Sequence, residues 1–406
     1  MQVIDFTKLA DKLWGRKNVA TAAIFLQKTK PDTELILHLV ANRNFSNANR
    51  LFLDFEHYDF HFLSQNDAIY NPHVWKAHLL GGGRIVQLID RLSTLPTLKE
   101  YLKENNGWVV REGFIKGTVG KKASYITGKK LLPTEALTEN GIDYKKLTIC
   151  DIEEFDTPSR EEIYTPPHIL WKANIGKDGF LIDYSDEYIV FKDKIIGIHG
   201  SQKELKDIYQ YLKINSSLLR FYILASSGQI LVNRATALLK DDLLNIPYTE
   251  NLNDIKLSDL EKTLVKDALN IYREKYNLSE ETTNRELILY LAFFCKTLNS
   301  IYRNKSKQFQ VYKILDTENY FAVHFEYSEG IITSIEEKIV DLEQYIQEAI
   351  PQRNDKQQHL HIQKIMKVYG KDSIILVKPK QLRYWLPSIA LRDADEVFAD
   401  YVKARY

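Results

Sequence analysis

The stretch that most restricts what this chain can become runs from Pro166 to Tyr248. Its first part, PPHILWKANIGKDGFLIDYSDEYIVFKDKIIGIHG, alternates aromatic and β-branched residues between Gly-Lys-Asp-Gly and His-Gly turns, the pattern of short strands. The next part, SQKELKDIYQYLKINSSLLRFYI, reads as one helix. It opens at Ser201 with Glu204 at capping-box spacing, and Leu205, Ile208, Leu212 and Leu219 form one core-facing stripe. Strands feeding a helix in this way predict a mixed α and β architecture.

With 406 residues, 44% of them hydrophobic, the chain can bury the cores of two or three domains. Met1 is followed by no secretory leader, and no run of about 20 apolar residues occurs, so a cytoplasmic protein with no membrane partner is expected. Cys150 and Cys295 have neither pairing nor metal-ligand spacing, as suits inert thiols in a reducing compartment. A net charge of +1 argues against a globally basic nucleic-acid binder, but the charge is unevenly spread. Residues 111–130 hold six basic side chains against one acid, and residues 151–162 six acids against one base. Each run admits two readings, a solvated face or, for the basic one, a groove that neutralises phosphate.

In chain order, Val3 to Lys28 predicts two strands joined by a turn at Trp14-Gly15, and Glu34 to Ala41 a third. Three strands without a covering helical pattern leave edges that invite association, so the start of the chain reads as incomplete. A Gly81-Gly82-Gly83-Arg84 turn precedes a helix over about Ile85 to Leu92, where backbone N–H groups can approach a phosphate. The run GWVVREGFIKGTVGKKASYITGKKLL, from Gly107 to Leu132, predicts meandering strands with lysines on the loops and Tyr125 among them. Past Asn251 the pattern turns helical. A capping box at Ser258 and Glu261 starts a helix with Leu260, Leu264, Ala268 and Tyr272 on one face. A second helix from about Asn284 carries Leu287, Leu291, Phe294 and Leu298, and the pair reads as a helical hairpin. Strands follow over Phe309 to Thr333, a helix over Ile339 to Ile350, and a C-terminal segment where Lys378 and Arg383 stand beside Tyr384 and Trp385, either a surface cation–π contact or a docking patch.

Five pieces, NPHVWKAHLLGGGRI, PPHILWKANIGKDGFLIDYSDEYIVFKDKIIGIHG, LKINSSLLRFYILASSGQ, NIPYTEN and KPKQLRYWLPSIALRDADEVFADY, together resemble the C-terminal half of adenine-N6 DNA methyltransferases of restriction-modification systems, type IIG and type I-like. The resemblance implies an α+β fold: methyltransferase-edge strands over 1–63, a DNA target-recognition domain of mixed strands and helices over 64–250, and a helical or αβ scaffold or partner-docking domain over 251–406. The family's S-adenosylmethionine (SAM) turn and Asn-Pro-Pro-Tyr motif are missing. Asn245-Ile246-Pro247-Tyr248 lacks the second proline and the setting needed to clamp a flipped base. No catalytic or cofactor residue is therefore assigned. The expectation is a target-recognition subunit that completes a methyltransferase in trans or has lost an upstream segment, with SAM held by a catalytic partner chain carrying the SAM and Asn-Pro-Pro-Tyr motifs.

For such a subunit, double-stranded DNA is the ligand. Lys116, Lys121, Lys122, Lys129 and Lys130, with Lys172 and Lys177 in a second lobe, are the candidates for phosphate contact. Asn174, Arg220, Gln229, Asn233 and Arg234 are the candidates for base edges, because amide and guanidinium groups can make two hydrogen bonds to one base. Two rivals stand beside this reading: a self-contained specificity-subunit-like DNA binder, and a metal-dependent nuclease using Asp316 with Glu336-Glu337-Lys338. His57 and His61, and His359 and His361, read as ordinary histidines rather than ligands.

Overall fold

The computed structural model describes residues 1–9, 19–28, 34–44, 52–53, 55–104, 107–231, 237–273, 275–303, 306–317, 319–330 and 365–404. The chain forms two compact units, Met1–Asn42 with His61–Leu257, and Arg43–Phe60 with Ser258–Tyr406. Helices and small sheets occur in both, an α+β protein as the alternating and helical patterns predict. Among the described residues no helix is long and apolar enough to cross a membrane.

The first unit begins with a four-stranded sheet: β1 (Gln2–Asp5), β2 (Ala22–Phe25), β3 (Leu35–Val40) and β4 (Phe60–Ser64), in the order β2-β1-β3-β4. β1 runs antiparallel to β2 and parallel to β3. The expected lack of a cover is corrected here. Helices α1 (Gln65–Tyr70) and α2 (Val74–Leu79) pack on β3, and Ile36, Leu63 and Val74 form a small core between them. β2 forms one margin, with Ile24 and Phe25 more than half exposed. The three glycines then turn the chain into α3 (Arg84–Ser93), all at positive φ. At Gly82 the reason is spatial as well, since a Cβ would stand 2.6 Å from the His61 ring.

Short strands follow: β5 (Val109–Glu112), β6 (Ile115–Lys121), β7 (Lys130–Leu132), β8 (Phe155–Thr157), β9 (His168–Lys172), β10 (Ile182–Ser185), β11 (Val190–Phe191) and β12 (Ile195–His199). The central sheet has the order β10-β9-β12-β5, and β6 pairs with β8, β7 with β11. Phe114, Ile126, Tyr164 and Phe191 lie in the core beneath them. The segment expected as one helix is two, α4 (Gln202–Ile214) and α5 (Ser216–Ser226). Asn215 leaves helical geometry and its side chain bonds back to the Tyr211 carbonyl, the local competition that makes asparagine a helix breaker. Leu205, Ile208, Leu212 and Leu219 are all fully buried, each contributing about 1.5–3 kcal/mol. The Ser201 box does not close: the hydroxyl donates to the Glu204 carboxylate instead of accepting a backbone N–H.

The second unit holds α6 (Asp259–Tyr272), α7 (Asn284–Tyr302), β13 (Lys307–Asp316), β14 (Tyr320–Glu329), β15 (Met366–Tyr369), β16 (Ser373–Pro379) and α8 (Pro387–Ala404). Its antiparallel sheet has the order β13-β14-β16-β15. The capping box at Ser258 and Glu261 forms as expected, and a further one, Thr283 with Glu286, starts α7. The predicted hairpin of α6 and α7 is replaced by a different packing: both helices lie against α8, and Leu287, Leu291, Phe294 and Leu298 join the core with Trp385 and Val397. The helix expected over 339–350 lies outside the described residues.

Candidate nucleic-acid interface

The predicted contact residues fall into two groups, both in the first unit. The first lies on the β6–β7 meander. Lys121 and Lys122 leave β6 on one side of a short loop, and Lys129 and Lys130 enter β7 on the other. Buried Ala123 and Ile126 pin that loop, with Gly128 N–H donating to the Cys150 carbonyl (2.7 Å) and the Thr127 hydroxyl to the Ile152 carbonyl (2.7 Å). All four lysines are exposed, as is Lys116. The acidic run is not remote from the basic one. β8 pairs antiparallel with β6, Phe155 opposite Lys116, and the Asp156 carboxyl fills the space above Gly117. Lys130 forms an ion pair with Glu187 (2.6 Å), and Lys129 lies 5.7 Å from the Tyr188 ring centre. Lys121 and Lys122 thus stand furthest along β6 from the Phe155–Lys116 pairing.

The second group surrounds the turn at 174–179, whose backbone is held by three side chains. The Asn174 side-chain oxygen accepts from Gly176 N–H (2.8 Å), and one Glu139 carboxylate oxygen accepts from the N–H groups of both Lys177 and Asp178 (2.7 Å each). Gly176 has a φ of +69°, and a Cβ there would meet the Gly179 carbonyl at 1.9 Å. From below, Arg220 donates through Nε to the Ile175 carbonyl (2.7 Å) and through Nη2 to those of Gly176 (2.9 Å) and Lys177 (2.6 Å). Arg220 is fully buried. The expectation that it reads base edges is corrected: its guanidinium holds the turn. Asn174 is half-buried, and its side-chain oxygen accepts from the turn itself. Lys177 is exposed at the tip, and Lys172 is half-buried at the end of β9.

Gln229 sits half-buried on the next turn, after α5. The start of the 174–179 turn pairs with the segment ahead of the short helix 240–244, since Asn174 bridges to Ala237 and Leu238 N–H donates to the Ala173 carbonyl (3.2 Å). A second cation underlies the turn after α5. Lys76 of α2 donates to the carbonyls of Ser227 and Ile230, the latter at 2.7 Å. Burial drives its ammonium down to about 8, with Asp242 opposing. Asn233 and Arg234 lie outside the described residues. Sequence reasoning misses both Lys76 and Glu139, because each acts on backbone groups far away in the chain, and no side-chain pattern marks such a pairing.

The remaining expectations resolve as follows. Asn245-Ile246-Pro247-Tyr248 is a strut: Tyr248 is buried between Tyr101 and Tyr211, and the Tyr211 hydroxyl donates to the Pro247 carbonyl (2.8 Å). His61 joins His38 and His78 in a buried cluster, His38 Nδ1 lying 2.9 Å from His78 Nδ1 and the His61 ring stacked on His78. His57 pairs with Glu396 (2.6 Å). Among the described residues no set of His, Cys, Asp or Glu side chains is arranged to hold a metal. Glu336, Glu337, Lys338, His359 and His361 lie outside the described residues. Both thiols are held up by burial, Cys295 to about 12.

The cation–π pairing expected in the C-terminal segment forms, Arg383 lying 5.4 Å from the Tyr384 ring centre, but Lys378 corrects its placement at the surface. That lysine is fully buried, 4.0 Å from the Tyr290 ring centre and 4.5 Å from that of Trp385, and paired with Asp393 (2.6 Å). Asp393 also accepts from the Tyr58 (2.8 Å) and Tyr290 (2.6 Å) hydroxyls. Lys378, Tyr384 and Trp385 of this segment are therefore buried in the second unit. Neither protein-family models nor curated proteins match the chain.

Proposed function

We propose that this chain is the DNA target-recognition subunit of an adenine-N6 methyltransferase, serving restriction-modification or phage defence, with SAM and the catalytic motif carried by a partner chain. The observation that carries the reading is the pinned pair of turns. Recognition of duplex DNA needs side chains held in register on a rigid support, and the 174–179 turn is fixed by Asn174, Glu139 and Arg220 with Lys177 at its tip. The lysines of the β6–β7 loop supply a second set of phosphate contacts, so the two groups suit a backbone-and-groove mode of binding. The exposed apolar margin of β2 suits contact with a catalytic chain.

The test is co-expression with candidate catalytic chains. Copurification, with methyl transfer to adenine only when both chains are present, is the expected result. Methyl transfer by this chain alone would defeat the split-enzyme reading. The cover that α1 and α2 give to β3 favours a second reading, a self-contained DNA-binding chain. That chain would bind DNA without recruiting a methyltransferase.

A further inference from the structure

We infer that Lys76 is a positioning residue for DNA recognition, and that the charge on its ammonium sets whether the turn after α5 is held in its recognition geometry. The inference rests on the DNA-binding reading above and adds a mode of regulation to it. Three features carry it. Lys76 donates to two carbonyls of one tight turn, Ser227 and Ile230, which bracket Gln229. The turn is itself strained, Leu231 standing at a φ of +69° without being glycine. Its internal hydrogen bonds are long, Gln229 and Ile230 N–H reaching the Ser227 hydroxyl at 3.2 and 3.3 Å. The charge-assisted bonds from Lys76 are thus shorter than the turn's own bonds to the Ser227 hydroxyl.

Among the described residues, three titratable groups bear on the ammonium or its neighbourhood. Asp242, on the short helix 240–244, favours the charged form, and His73 faces it from the start of its own helix, with Asp90 of α3 beside that histidine. Burial outweighs Asp242, so the proton leaves Lys76 as the pH rises through about 8. The neutral amine keeps two N–H donors but loses the charge that makes them strong. Between pH 7 and 9 the charged fraction falls from about nine-tenths to about one-tenth. A protein competent only in the charged form therefore loses affinity about tenfold.

The experiment measures binding to a pool of short random-sequence DNA duplexes at pH 7 and pH 9, for the full wild-type chain, Lys76→Arg and Lys76→Met. Hydrogen exchange at Gln229 and Ile230, corrected for intrinsic rates, is followed in parallel. The expected result is an affinity loss of about tenfold at pH 9 in the wild type and none beyond the buffer control in Lys76→Arg, whose guanidinium stays charged. Lys76→Met is expected to be weak at both pH values while its thermal unfolding stays cooperative. Protection of the two amides should follow the same order. Equal pH profiles for the wild type and Lys76→Arg, or wild-type affinity in Lys76→Met at pH 7, would overturn the inference while leaving DNA binding intact. Failure of the wild type to bind at pH 7 would instead overturn the DNA-binding reading, and this inference with it.

Discussion

Replacing Arg220 by Met should cost the first unit between about 2 and 4 kcal/mol. The guanidinium is fully buried and donates to three backbone carbonyls, those of Ile175, Gly176 and Lys177. Removing it leaves three acceptors without those donors, each worth roughly 1–3 kcal/mol when it stays buried. Two terms reduce the sum. The Gly176 and Lys177 carbonyls belong to a surface turn that can rotate toward water, and losing a buried cation recovers part of its desolvation cost. An ammonium in place of the guanidinium cannot reproduce the planar fork, so Arg220→Lys should recover about half the loss. Urea unfolding followed by circular dichroism gives the energy, and hydrogen exchange at Gly176, Lys177 and Asp178 localises it. A cost under about 0.5 kcal/mol, with unchanged protection of those amides, would refute the assignment of Arg220 as the support of this turn.

In the second unit, Asp393→Ala should cost about 3–5 kcal/mol, because Lys378 is left buried without its counter-charge, whereas the pair replacement Lys378→Met with Asp393→Leu should cost less, since the unpaired charge is gone and the loss of the acceptor for the Tyr58 and Tyr290 hydroxyls remains; denaturant titration of both variants separates the two. His168 is held down to about 4, first by burial and then by the nearby His199, against the bond of its Nδ1–H to the Ile163 carbonyl. Its folded value lies below the ordinary 6.5, so the stability it contributes is present above that value and is lost as the pH falls toward 4, on the order of 3 kcal/mol in full. A His168→Gln variant should show a shallower decline in unfolding free energy over that window, and an unchanged decline would contradict the assignment.

Much of the scaffold is legible in the sequence because its signals are local. The Ser258 capping box and the stripes on α6 and α7 are contained within a few turns of helix, and they form where expected. The alternation expected from Phe309 likewise gives β13 and β14, with 331–333 of that range outside the described residues. The features that escape depend on distant partners. An arginine on a helix usually faces solvent, which makes Arg220 look like a reader of bases, and only the fold brings the 174–179 carbonyls beneath it. Lys378 has the look of a surface cation because its counter-charge, Asp393, lies on another element, and only the fold brings the two together. The acidic and basic runs are separate features of the sequence until β8 pairs with β6. Of the site, the exposed lysines can be found from composition alone, but the groups that hold the turns cannot.

The most direct test of DNA binding is the salt dependence of affinity for short duplexes, compared between the wild type and Lys121→Ala/Lys122→Ala. If both lysines neutralise phosphates, the plot of log affinity against log salt should be steep in the wild type and shallower by about 1.8 in the double variant, at about 0.9 for each phosphate left without its lysine. Binding that is absent in the wild type, or a slope that the double variant leaves unchanged, would contradict a DNA interface on this loop.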